Sequence, residues 1–140
     1  MANDPIHEGG CLCGAVRYRC SAEPDRVYYC HCTSCRKVSG TAFHTGVMVR
    51  REAFELLTGE PRSYDVPADS GNVVSHAFCP TCGGQLYVSS SGRPTHLSIK
   101  AGSLDDPSWL QPVGRIWSQS AQPWGLAQGD IEAFDKGFGN

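Results

Sequence analysis

Short segments in which apolar and polar residues alternate run along most of the chain, separated by glycine, proline and other turn-forming residues. Because successive side chains of a strand point to opposite faces, this alternation predicts half-buried β-strands. In AVRYRC, for example, Val16 and Tyr18 fall on one face and Arg17 on the other. Strands are predicted over residues 15–20, 27–32, 42–49, 54–58, 73–78, 85–89, 97–101 and 113–118.

One short helix is predicted in TSCRKVSG, directly after the second strand. Thr33 or Ser34 can cap its amino end, and Gly40 can end it because glycine readily adopts a left-handed conformation. One further helical turn is expected in LDDPSW, residues 104–109. The chain is therefore predicted to be a mainly β domain of short antiparallel strands with one or two short helices.

The length of 140 residues suits one domain, and residues 1–6 and 126–140 are expected to be loose ends. The net charge is −2 and the twelve basic residues are spread along the chain, which argues against a nucleic-acid surface. MANDPIHEGG lacks the apolar segment of a signal peptide, and no apolar run approaches the roughly 20 residues that cross a bilayer. We therefore expect a cytoplasmic protein without a membrane partner.

Most of the eight cysteines fall in three groups, CLC at 11–13, CHCTSC at 30–35 and CPTC at 79–82. In a reducing compartment, clustered cysteines favour a bound metal over disulfides. Residues i and i+2 of a strand share a face, so each CxC pair can bind one ion. CPTCGG is typical of a zinc knuckle, in which two thiolates converge in a tight turn. Zinc is therefore the expected cofactor.

Two ways of pairing these groups are open. Cys32 and Cys35 can join the CPTC pair as a zinc ribbon. However, glycine follows Cys13 and Cys82, as a closed knuckle site favours, whereas Arg36 follows Cys35. This difference favours a closed structural site formed by Cys11, Cys13, Cys79 and Cys82.

The second pairing leaves Cys30, Cys32 and Cys35 as a site with three ligands. Catalytic zinc is usually held by three protein ligands, with a fourth position open to water or substrate. Zinc with three thiolates carries one negative charge, which Arg36 and Lys37 can offset while they attract an acidic ligand. These two residues are therefore the candidate substrate-binding residues.

The remaining histidines and the eighth cysteine support less specific predictions. His44 and His76 are candidate fourth ligands, which would make the second site structural instead of open. His31 is expected to pack beside that site, and Cys20 to be a small buried apolar residue. The tryptophans lack the surrounding basic cluster that binding of single-stranded nucleic acid requires. They are expected in the core or in a pocket wall, namely Trp109, Trp117 and Trp124.

Three motifs, GGCLCGAVRY, CHCTSCRKVSGTAF and FCPTCGGQLY, occur in an order that resembles the glutathione-dependent formaldehyde-activating enzyme family, which also includes centromere protein V. KAGSLDDPSW and IWSQSAQPW resemble its C-terminal part, so that the resemblance covers about residues 7–125, taken as one zinc domain. It implies a β-tent fold. It also implies a closed zinc site at Cys11, Cys13, Cys79 and Cys82 and an open zinc site at Cys30, Cys32 and Cys35.

The activity that the resemblance implies is the addition of formaldehyde to glutathione, which gives S-hydroxymethylglutathione and is classed as carbon–sulfur lyase activity. The protein would then be a lyase of formaldehyde detoxification with glutathione or a similar small thiol as partner, and zinc would lower the pKa of that thiol. The alternative is a non-enzymatic zinc module that binds a protein or nucleic acid, as centromere protein V suggests. That function predicts a basic tail or patch, which the sequence does not show.

Overall fold

The computed structural model describes residues 6–125 and 131–138, and ten strands in this part of the chain form two sheets. The predicted loose ends fall partly outside these residues. Between β3 and β4 lies one helix, α1 (Thr33–Ser39). The strands are β1 (His7–Gly10), β2 (Arg17–Cys20), β3 (Arg26–Cys30), β4 (His44–Arg50), β5 (Phe54–Thr58), β6 (Arg62–Pro67), β7 (Val73–Phe78), β8 (Gln85–Ser90), β9 (His96–Lys100) and β10 (Gly114–Ile116).

The smaller sheet has the order β1-β2-β5, and the larger sheet has the order β10-β3-β4-β9-β8-β7-β6. Neighbouring strands are antiparallel except for β10, which pairs with β3 in parallel. A bridge between Gly9 and Leu104 further ties β1 to the segment after β9. This architecture confirms the predicted mainly β class of short antiparallel strands.

All eight predicted strands are present, with ends that differ from the prediction by at most two residues. β1 and β6 were missed. The sequence of β1 is HEGG, whose glycines give no alternating apolar pattern. The sequence of β6 is RSYDVP, an edge strand that is mostly exposed and needs few apolar side chains.

The predicted helix is present, but its cap differs from the prediction. Cys32, rather than Thr33 or Ser34, caps the amino end, because its sulfur accepts a hydrogen bond from the backbone of Cys35. Gly40 ends the helix at φ 73, as predicted. The turn expected in residues 104–109 is not helical. Among the described residues, no helix is long and apolar enough to span a membrane.

The main hydrophobic core joins the two sheets. The small sheet and its flanking residues contribute side chains such as Val16 and Tyr18, and the large sheet contributes Val47, Leu86 and Ile99, all at most 2% exposed. Because strand residues alternate between faces, the residues next to Val47 and Ile99 point to the other face of the large sheet. That second face carries the chemically distinctive side chains.

On this second face, Tyr28 of β3 reaches across β4 to β9. Its hydroxyl lies 2.7 Å from the hydroxyl of Ser98, and both residues are buried. Gly46 lies opposite Tyr28 on the intervening strand. A Cβ atom at Gly46 would lie 2.5 Å from the Tyr28 ring. The absence of a side chain at Gly46 therefore lets the tyrosine cross to Ser98.

Gly46→Ala is expected to destabilise the fold, because the new methyl group would displace the Tyr28 ring from Ser98. Overpacking of this kind typically costs about 1–3 kcal/mol. Urea unfolding measures the change, with Gly102→Ala as the control because a Cβ there has no neighbour within 4 Å. Equal unfolding free energies for the two variants would contradict this account of Gly46.

Candidate metal centres

One cluster brings together four sulfur atoms from two distant turns. The sulfur atoms of Cys11 and Cys13 are 3.6 Å apart, and those of Cys13 and Cys79 are 3.8 Å apart. A tetrahedral ion with zinc–sulfur bonds of about 2.3 Å holds its sulfur ligands about 3.8 Å apart. With Cys82, all four ligand atoms lie within 4.8 Å of one another. The separations therefore fit a single ion.

The first two ligands lie in a turn between β1 and β2, whereas the prediction that a CxC pair can share one ion rests on the geometry of a strand. The backbone N–H of Gly14 donates to the carbonyl of Cys11, which closes the turn. The N–H of Val16 then donates to the Cys11 sulfur at 3.3 Å. Desolvation raises the Cys11 pKa, but this hydrogen bond and the neighbouring thiols outweigh it and lower the pKa to about 6. The local backbone thus stabilises a thiolate.

The other two ligands lie in the turn between β7 and β8, as the CPTCGG motif predicts. The N–H of Thr81 donates to the Cys79 sulfur at 3.4 Å, and the N–H of Gly83 donates to the Cys79 carbonyl at 2.8 Å. Gly83 adopts φ 77, a conformation that glycine takes without strain. Cys79 is fully buried and part of the main core. Sulfur ligation and core packing are therefore linked at this corner.

The second cluster contains Cys30, Cys32 and Cys35, whose sulfur atoms also lie within 4.8 Å of one another. Cys30 ends β3, Cys32 caps α1, and Cys35 lies in the first helical turn. The predicted strand to Cys32 therefore ends two residues early, and a change from strand to helix brings the three sulfur atoms together. Cys30 and Cys35 are buried, whereas Cys32 is half-buried.

Three thiols this close cannot all ionise independently. Hydrogen bonds from Cys30 and Cys35 lower the pKa of Cys32 to about 2. The same neighbours raise the pKa of Cys35 far above that of a free thiol. A cation among the sulfur atoms is therefore needed to hold all three as thiolates. The all-sulfur donor sets of both clusters fit zinc, and three ligands leave one coordination position open.

Neither candidate histidine joins this cluster of ligand atoms. His44 lies opposite Cys30 on β4 and His76 lies on β7; both are buried, and their ring nitrogens make no hydrogen bond within the described residues. Burial lowers the pKa of His44 to about 3, which keeps its ring neutral. His31 is also buried and packs against Phe43, with ring centres 5.2 Å apart. The structure thus places these rings around the three-cysteine cluster and not in it.

The eighth cysteine, Cys20, is 1% exposed and its thiol donates to the carbonyl of Ala22, as expected for a buried structural residue.

Trp109 packs against the core and stacks on His7, with ring centres 4.2 Å apart. Trp124 is 62% exposed, so the prediction of a core or wall position is wrong for this residue.

A cavity of about 620 Å³ opens beside the three-cysteine cluster. Trp117 forms part of its wall and adopts φ 57, an uncommon left-handed conformation for a residue with a side chain. Such strain is concentrated at functional sites in proteins. Apolar side chains and three arginines also line the cavity, among them Met48, Val74, Val88, Arg26, Arg93 and Arg115.

The basic residues predicted from the sequence differ from those that line this cavity. Arg36 is half-buried on α1, Lys37 is exposed, and neither is among the lining residues. Arg26, Arg93 and Arg115 do line it. The position of Arg26 could have been predicted from the sequence, because Arg26 is four residues before Cys30 on the same strand and so shares its face. The position of Arg93 could not have been predicted in this way, since it lies in the connection between β8 and β9.

Cys79→Ser is expected to yield unfolded or insoluble protein. Structural zinc contributes about 10–16 kcal/mol in small peptides, which is comparable to the total stability of about 5–15 kcal/mol of a domain. Circular dichroism and metal analysis of the soluble fraction measure the effect, and Cys20→Ala is the control for loss of a buried thiol outside both clusters. A folded Cys79→Ser protein with its full metal content would contradict the structural role.

Cys32→Ser is expected to fold normally and to lose one metal ion per chain, because its cluster does not join the two sheets. Thermal unfolding monitored beside metal analysis separates the two effects. Should this variant unfold as Cys79→Ser does, the second cluster would also be structural.

Two comparisons with known proteins agree with this architecture. The crystal structure of a Rhodobacter sphaeroides protein from the Northeast Structural Genomics effort is similar, with a TM-score of 0.60 and 22% sequence identity over 77% of this chain and 98% of that chain. At this identity the likeness shows the fold. The family model described as "Glutathione-dependent formaldehyde-activating enzyme" matches residues 6–120. The chain therefore belongs to the glutathione-dependent formaldehyde-activating enzyme family.

Proposed function

We propose that this protein is a cytoplasmic, zinc-dependent enzyme of the carbon–sulfur lyase type that forms or uses the adduct of glutathione and formaldehyde. The observation that carries the proposal is the contrast between two sulfur clusters. One has four ligands and suits a closed ion, whereas the other has three and opens on a cavity of about 620 Å³. Family membership supports a glutathione-related role for that cavity.

Zinc held by Cys30, Cys32 and Cys35 would lower the pKa of a glutathione thiol, so that a thiolate is available at neutral pH. The neighbouring N–H of Cys35 donates to the Cys32 sulfur at 3.3 Å and so fixes the orientation of this ligand. The apolar side chains of Met48, Val74 and Val88 line the same cavity and would limit the water that reaches the reacting atoms.

The proposed reaction is an addition and needs no oxidant or reductant. The thiol first loses its proton to solvent. The thiolate sulfur forms a bond to the carbonyl carbon of formaldehyde, the π pair moves to the oxygen, and that oxygen takes a proton from solvent. The product is the hemithioacetal S-hydroxymethylglutathione. Because this addition also proceeds without an enzyme, the cavity has only to supply the thiolate and orient the two reactants.

The basic residues around the cavity are proposed to bind the carboxylates of glutathione. Arg26 and Arg93 line the cavity, and a guanidinium group can donate two parallel hydrogen bonds to one carboxylate. Arg93 also contacts another lining residue, since its Nη1 atom lies 3.1 Å from the sulfur of Met48. The sequence-based proposal that Arg36 and Lys37 bind substrate remains, and the two pairs are distinguishable by mutation.

Glutathione is expected to bind to the zinc-loaded protein, whereas S-methylglutathione, which cannot form a thiolate, is not. Isothermal titration calorimetry measures both, with Cys32→Ser as the control that lacks a ligand of the open site. If both compounds bind with the same affinity, the protein recognises the peptide part of glutathione and the thiol does not bind the metal. Failure of glutathione itself to bind would contradict the proposed function.

Arg26→Met and Arg93→Met are each expected to weaken glutathione binding roughly tenfold, which corresponds to about 1.4 kcal/mol. Arg36→Met and Lys37→Met test the other pair by the same titration. Arg50→Met is the control, because Arg50 is exposed and is not among the residues that line the cavity. If none of the first four substitutions weakens binding, the carboxylates are not recognised by these basic residues.

A further inference from the structure

Lys100 has an unusual position for a charged residue. It is the last residue of β9 and is only 6% exposed, and its Nζ atom makes no hydrogen bond within the described part of the chain. None of the ion pairs between described residues includes it. Burial of an ammonium group is costly unless an opposite charge lies close to it.

Strand register places Lys100 on the face of the large sheet that carries the three-cysteine cluster. Lys100 lies opposite Gly46, which in turn lies opposite Tyr28. Because alternate residues share a face, Tyr28 and Cys30 project to the same side as Lys100. The main hydrophobic core lies on the other side and includes Ile99.

The negative groups that act on Lys100 are the three thiols. Burial lowers the pKa of Lys100, and negative charge on Cys35, Cys30 and Cys32 opposes this effect. His44 and His76 also lie near Lys100, but burial lowers the pKa of both rings and favours their neutral forms. Lys100 is therefore the buried positive charge on this face of the sheet that acts on the three-cysteine cluster.

We propose that Lys100 is a positioning residue whose ammonium group is the buried counter-charge of the three-thiolate site. Its positive charge makes this site prefer a negatively charged fourth ligand over a neutral one. The inference rests on the proposed function, in which Cys30, Cys32 and Cys35 hold a divalent ion. That ion with three thiolates carries one negative charge, and a fourth thiolate makes the total two. The positive charge of Lys100 offsets one of these two negative charges.

The counter-charge has two measurable consequences. It strengthens the affinity of the three-cysteine site for a divalent ion, because that affinity depends on keeping all three sulfur atoms ionised. It also favours a thiolate over a neutral ligand such as imidazole in the fourth position. The four-cysteine site is an internal control for both effects, because its thiols are not among the groups that shift the pKa of Lys100.

Lys100→Met tests the proposal, because methionine retains much of the apolar stem and removes the charge. Co²⁺ is the probe in the full-length protein, since its sulfur charge-transfer bands report on each site, and chelator competition gives the affinities. We expect Co²⁺ affinity to fall roughly tenfold or more at the three-cysteine site and to stay unchanged at the four-cysteine site. Lys136→Met is the control for the same change in net charge at an exposed position.

A second readout compares two ligands of the cobalt-loaded protein. In Lys100→Met, the affinity for glutathione should fall roughly tenfold more than the affinity for imidazole, while Lys100→Arg should restore part of the preference. Lys100→Gln replaces Lys100→Met if the latter does not fold. Unchanged metal affinity together with an unchanged ligand preference would overturn the role of Lys100, whereas absence of glutathione binding in the unmodified protein would overturn the proposed function instead.

Discussion

The fold depends on a contact between two turns that are far apart in the sequence. Cys13 and Cys79 are separated by 66 positions, yet their sulfur atoms lie 3.8 Å apart. The first turn follows a strand of the small sheet, and the second joins β7 to β8 of the large sheet. A cation shared by their sulfur atoms would therefore tie the sheets together at one corner of the core, where Cys11 and Cys79 are already buried. Thiolates brought this close without a cation would repel one another.

The three-cysteine cluster has the same donor atoms in a different setting. It forms where β3 ends and α1 begins, and this change of backbone direction leaves one side of the sulfur atoms facing a cavity. One face of the large sheet thus packs in the main hydrophobic core, and the other carries the three-cysteine cluster and the polar residues around it. Tyr28, Ser98, His44 and Lys100 occupy the second face, and burial removes them from water that would otherwise weaken their electrostatic effect on the cluster.

Much of this arrangement was predictable because the relevant signals are local. Alternation in AVRYRC indicated a strand, Gly40 indicated the end of the helix, and the glycines after Cys13 and Cys82 indicated tight turns around sulfur. Cys11 and Cys13 share their ion from a turn and not from the strand geometry used to interpret the CxC spacing, since that spacing suits either backbone once N–H groups donate to sulfur. The cavity position of Arg93 and the burial of Lys100 depend on which strands become neighbours, and that information is not contained in any short segment.

X-ray absorption spectroscopy at the zinc edge, combined with metal analysis of the purified full-length protein, tests the central claim most directly. The account predicts two zinc ions per chain and an average shell between three and four sulfur atoms per ion, completed by a lighter oxygen or nitrogen ligand at the open site. A single ion per chain, or two ions whose shells contain sulfur alone, would contradict the division into one closed and one open centre.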